Sequence, residues 1–108
     1  MMWKVQFFKS ARGEKLIEIY ISTLPSRSRA KIIRLIDLLE KRGSLVKMPY
    51  VKKVTNNISE LRARGKIEVR LFFTIKGRVI YILHGFTKKT QKIPIKEIKI
   101  ALKRLALI

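Results

Sequence analysis

Between residues 67 and 76 the chain alternates strictly, with Ile67, Val69, Leu71, Phe73 and Ile75 separated by Glu68, Arg70, Phe72 and Thr74 and followed by Lys76. A period of two puts the first set on one face of a strand and turns Arg70 to the other. Residues 58–64 alternate likewise, with Ser59, Leu61 and Ala63 on one side and Ile58, Glu60, Arg62 and Arg64 on the other. If Leu61 joins the core, Arg62 and Arg70 share the opposite face. Residues 78–84 are nearly all apolar, as expected for a central strand covered on both sides, and Lys76-Gly77 supplies the turn before them. Three adjacent antiparallel strands are expected.

The flanking segments complete the plan. Trp3, Val5 and Phe7 alternate with Lys4 and Gln6, which predicts a first strand over 3–8. Leu16, Ile17, Tyr20 and Leu24 recur at helical spacing and predict a helix over about 11–24, weakened at its start by Gly13 and stopped by Pro25. A second helix is expected over 26–42, with Ile32, Leu35, Ile36 and Leu39 on one stripe and Gly43 as its left-handed cap. Pro49 and the Thr55-Asn56-Asn57 turn mark a connection that holds a short edge strand at 50–54. After a loop over 87–93, Pro94 opens a final helix whose apolar side is Ile95, Ile98, Leu102 and Leu105. The order β-α-α, then a three-strand antiparallel meander, then a C-terminal helix is an α+β arrangement with the helices packed on the sheet, in one domain spanning 1–108.

Charge changes the picture. Lys and Arg number 26 against 7 Asp and Glu, a formal charge of +19, while 47% of residues are hydrophobic, too many for a disordered basic tail. A folded body this positive attracts polyanions: nucleic acid, an acidic protein or, the weakest candidate, an anionic membrane surface. No apolar run approaches the ~18 residues of a membrane span, and the first residues lack the pattern of a signal peptide, so a cytoplasmic protein without membrane attachment is expected. The chain has no cysteine and one histidine, which removes disulfides, thiolate sites and paired-histidine zinc sites; neither metal nor cofactor is expected.

Glu60-Leu61-Arg62, Val69-Arg70-Leu71-Phe72-Phe73 and the run Leu83-His84-Gly85-Phe86-Thr87-Lys88-Lys89-Thr90-Gln91-Lys92-Ile93-Pro94 together resemble the HigB-like, phage-derived branch of the RelE/ParE toxin superfamily. The likeness covers nearly the whole chain, because the first strand, helical hairpin and closing helix fall in that family's order. It implies a RelE-like fold and a type II toxin, an endoribonuclease of messenger RNA that in many relatives cuts only on a translating ribosome. It also implies a helix-turn-helix antitoxin as partner. The related ParE branch poisons DNA gyrase instead, and the charge alone supports a non-catalytic RNA- or ribosome-binding module.

Metal-free RNA cleavage requires a deprotonated 2′-hydroxyl, stabilisation of the phosphorane's added charge and a proton for the leaving 5′-oxygen. Arg62 and Arg70 can clamp phosphate oxygens through paired N–H donors, with Lys88, Lys89 and Lys92 closing over the same phosphate and Lys52, Lys53 and Arg64 extending the track. Equally, the two arginines can pair with Glu60 or Glu68 on a solvated sheet face. His84 is the candidate base, since its ordinary pKa lies near neutrality and cations lower it. Alternation groups it with Ile80 and Ile82, and a histidine in that place can also be a packed residue bonded to a backbone carbonyl. Phe72, on the Arg70 side, can stack a base or pack against the last helix.

Overall fold

The computed structural model describes residues 2–108. Within them the order is β1 (Lys4–Phe7), α1 (Leu16–Ser22), α2 (Ser26–Arg42), β2 (Val51–Lys53), β3 (Ser59–Ala63), β4 (Val69–Lys76), β5 (Val79–Thr87) and α3 (Ile95–Leu105). The strands form one five-stranded sheet in the order β1-β5-β4-β3-β2. The meander β3-β4-β5 is antiparallel as expected, whereas β1 joins β5 in parallel, which makes the sheet mixed and β5 a central strand.

Each face of the sheet has its own core. Leu61, Val69, Leu71, Phe73, Ile80 and Ile82 pack with Ile17, Ile32, Leu35 and Leu39 of α1 and α2. On the other face Ile58, Phe72, Leu83 and Phe86 pack with Ala101 of α3. Burial of this second set fixes the register of α3 differently from the expected stripe: Ile98, Ala101 and Leu105 face the sheet, while Ile95 is 69% exposed and Leu102 also turns outward. The two faces thus carry α1 and α2 on one side and α3 on the other.

Two glycines are required by close approach. Gly43 ends α2 at φ +50°, and a Cβ there would lie 2.0 Å from the Trp3 ring. At Gly85 a Cβ would meet Leu71 Cδ2 at 2.7 Å and the Tyr20 ring at 3.0 Å, so only glycine lets α1 press on β5. Helix α1 starts later than its apolar spacing predicts, because residues 10–14 fold into a turn in which the Glu14 N–H donates to Ser10 Oγ.

Between Phe72 and Phe73 the β4-β5 register shifts: Phe73 pairs with Ile82 but Phe72 pairs with His84. Leu83 is therefore an extra residue in β5, a β-bulge that reverses the alternation beyond it. Ile80 and Ile82 face α1 and α2, whereas Leu83, His84 and Phe86 all face α3. His84 is thereby separated from the apolar row with which simple alternation groups it, and is brought to the face that carries Arg70.

Candidate functional site

Cross-strand register lays the α3 face out in rows. Lys52, Glu60, Phe72 and His84 form one row, Arg62, Arg70 and Phe86 the next, and Glu68 lies beyond them beside Lys88, whose N–H donates to the Glu68 carbonyl. Helix α3 covers Phe72 and the Phe86 end of the second row but leaves its Arg62 and Arg70 end uncovered. What it leaves bare is an open cleft of about 860 Å³ lined by Lys52, Arg62, Arg64, Glu68, Arg70, Lys88, Lys89, Thr90 and Gln91. The loop after β5 brings in the last four, and a hydrogen bond of 2.7 Å between Tyr20 and Thr87 ties that loop's root to α1.

Arg62 and Arg70 stand directly opposite one another across β3 and β4, an arrangement that repels unless a counter-charge lies between. Glu60 supplies it. Its Oε1 is 3.5 Å from Arg62 Nε and its Oε2 3.7 Å from Arg70 Nε. Arg70 is 2% exposed and each of its terminal nitrogens makes one hydrogen bond, Nη2 to Glu68 Oε1 at 3.0 Å and Nη1 to the Val69 carbonyl at 3.1 Å, whereas its buried Nε meets Glu60 by charge alone. The carboxylate pairing considered above is therefore present, but it is buried rather than solvated. Arg70 forms the floor of the cleft and holds Glu68, while Arg62, which lies nearer the surface, reaches the opening.

Glu68 is the acidic group of the cleft. The Gly65 N–H donating to its Oε2 at 2.9 Å, aided by Arg70 and Arg64, holds its carboxyl below the ordinary range, so it stays ionised near neutrality. The expected site omits Glu60 and Glu68 as working residues. Their trace in the sequence is a repeated Glu-x-Arg, at Glu60-Leu61-Arg62 and Glu68-Val69-Arg70, which places each carboxylate on the face of its arginine.

Four expected site residues lie elsewhere. Lys53 pairs with Ser59 and so points to the opposite face from Lys52. Lys92 is exposed on the loop, away from the cleft lining. Phe72 is 0% exposed and packs in the α3 core, where no base can reach it. His84, on the correct face, is one row too far along: α3 covers it, and its ring is taken up by that helix. Its Nε2 lies 2.9 Å from Glu97 Oε1, and Arg104 Nη1 donates to the Leu83 carbonyl at 2.8 Å while approaching His84 Nδ1 at 3.4 Å. These contacts suit a neutral ring that donates from Nε2 and accepts at Nδ1. Burial, opposed by Glu97 and reinforced by Arg104, holds its pKa below the ordinary value. The Glu97 carboxylate, in the first turn of α3, is spent on this bond.

Among the described residues no group of three or more His, Cys, Asp or Glu side chains is placed to hold a metal ion. No helix among them is long and apolar enough to cross a membrane. Compared with protein-family models, residues 19–106 match the phage-derived Gp49-like family (DUF891). No curated protein matches the chain.

Proposed function

Since the chain belongs to the phage-derived Gp49-like family, within the RelE-like toxin superfamily, we propose that it is a type II toxin of the HigB-like branch that seats messenger RNA in the basic cleft and cuts it without metal. The observation that carries this reading is the gathering of Lys52, Arg62, Arg64, Lys88 and Lys89 around one ionised carboxylate on an uncovered sheet face. Cations at that density match a single-stranded phosphate backbone.

In this reading Arg62 and the loop lysines bind the scissile phosphate and take up the charge that develops on its oxygens. The 2′-oxygen attacks phosphorus, the bond from phosphorus to the 5′-oxygen breaks, and the products are a 2′,3′-cyclic phosphate and a free 5′-hydroxyl. Glu68 takes the 2′-hydroxyl proton, and Lys88 or Lys89 returns one to the leaving oxygen. A carboxylate held this acidic is a weak base, so most of the acceleration comes from charge stabilisation. Arg70 is a positioning residue, since its guanidinium engages Glu68 and Val69. A helix-turn-helix antitoxin that lays acidic side chains over the cleft is the partner this field calls for.

One observation favours a second reading, RNA binding without cutting: the one histidine is committed beneath α3 and does not line the cleft. Expression alongside translating ribosomes separates the two. The toxin reading expects cleaved messages with cyclic phosphate ends, resistance of a substrate carrying a 2′-deoxy sugar at the cut, and a loss of cutting in Glu68→Gln without loss of RNA binding. Intact messages in the presence of tight binding would establish the binding module and reject the nuclease.

A further inference from the structure

Strand β2 pairs with residues 59–61 of β3, and the Arg62 N–H still bonds the Tyr50 carbonyl, so from Ala63 onward β3 is itself the edge of the sheet. Arg62 and Arg64 therefore border two spaces. One is the cleft; the other is a pocket of about 500 Å³ on the far side of that edge, between α2 and Tyr50. Its base is apolar, made of Leu35 and Leu38, and Lys31 and Arg34 of α2 stand on its rim.

Tyr50 is the unusual member. Its carbonyl accepts from the Arg62 N–H at 2.8 Å and its N–H donates to the Lys47 carbonyl at 3.0 Å, which fixes its backbone, yet the residue is 48% exposed. Lys31 Nζ donates to the Arg64 carbonyl and pins α2 to the strand edge, so the opposite wall is fixed as well. An aromatic ring on a fixed backbone, with apolar neighbours and four cations around it, has the chemistry of a site for an unpaired nucleobase flanked by phosphates.

We propose that this pocket takes a base of the same RNA strand whose phosphate occupies the cleft, stacked on Tyr50, with the backbone crossing the β3 edge between Arg62 and Arg64. The inference rests on the RNA reading of the cleft and adds to it a nucleotide-binding subsite that contacts a base. A purely electrostatic track would not need an aromatic ring here. The phenol hydroxyl plays no part in stacking.

The test is fluorescence anisotropy with a single-stranded RNA oligonucleotide made uncleavable by 2′-O-methyl sugars, together with a series of the same oligonucleotide carrying one abasic residue at each position in turn. Tyr50→Ala should weaken binding of the intact oligonucleotide roughly 5- to 150-fold, the range for loss of one base-aromatic stack, and Tyr50→Phe should leave it unchanged. One abasic position should weaken the wild-type protein by a similar factor, and at that position Tyr50→Ala should cost nothing more. Unchanged affinity of Tyr50→Ala overturns the subsite, as does an abasic loss that adds in full to the Tyr50→Ala loss at every position. If binding still depends on Lys88 and Lys89 in that case, the cleft reading survives; if the wild-type protein binds no oligonucleotide, both fall. Absence of cutting on ribosomes bears on the nuclease alone and leaves these binding measurements standing.

Discussion

Replacing Glu60 by glutamine removes one negative charge and almost no volume, and the structure sets the size of the effect. The carboxylate is buried, 3.5 Å from Arg62 Nε and 3.7 Å from Arg70 Nε. At an effective dielectric of about 20 each contact is worth roughly 4 kcal/mol of attraction, offset in part by the cost of desolvating three charges. Arg70 keeps Glu68 and the Val69 carbonyl after the change. Arg62 is the group left bare, with Arg70 directly opposite it. Removing one member of a buried ion pair costs about 3–5 kcal/mol, and because Arg62 can turn toward the cleft the expected loss is at the lower end, about 3 kcal/mol. Urea unfolding followed by circular dichroism at pH 7 measures it, and the loss should persist at high salt, since buried pairs are poorly screened. The freed Arg62 should leave affinity for single-stranded RNA equal to or above that of the parent. A stability loss below about 1 kcal/mol, the range of an exposed pair, would refute the reasoning that Glu60 neutralises two opposed guanidiniums.

Three further outcomes are expected. Because burial holds His84 below its ordinary pKa of about 6.5, the unfolded chain takes up that proton at a higher pH than the folded one. The associated stability is complete above that ordinary value and is lost as pH falls through the folded value, and His84→Gln should flatten this part of a stability profile measured by thermal melts. Gly43→Ala, which forces a side chain into positive φ and onto the Trp3 ring, should destabilise by more than about 1 kcal/mol in urea melts; a neutral result would show that the end of α2 can move. Lys88→Ala and Lys89→Ala should each reduce the steepness of the log-log salt dependence of single-stranded RNA binding by about 0.7, and an unchanged slope would place that lysine off the phosphate path.

Most of the architecture was legible because it is written in local pattern. Alternation located β3 and β4 and put Arg62 and Arg70 on one face, and the boundaries of α2 follow from Pro25 and Gly43. The register of α3 was not, because Ile95, Ile98, Leu102 and Leu105 form as good a stripe as the one used. Only the position of Phe72 and Leu83 beneath the helix selects Ala101 as its centre. Burial of Arg70 was hidden for a similar reason: strand alternation distinguishes two faces but does not say how deep either lies. The repeated Glu-x-Arg does carry that information once both strands are seen to be adjacent, since two guanidiniums face to face require carboxylates on the same side.

The position of His84 turned on one inserted residue. Without the bulge at Leu83, the alternation of β5 would carry His84 into the core under α1 and α2, where Ile80 and Ile82 lie. With it, the imidazole emerges on the cleft's own face, yet in the row that α3 covers, and Arg104 bonds the carbonyl of the bulged residue itself. A bulge is set by pairing between distant strands, so no window of β5 alone announces it. The consequence reaches the chemistry: the one histidine holds α3 in place beside the cleft instead of serving in it. The cleft's proposed catalysis therefore depends on where the cations and Glu68 stand rather than on a tuned acid and base, and the rate should change little with pH around neutrality.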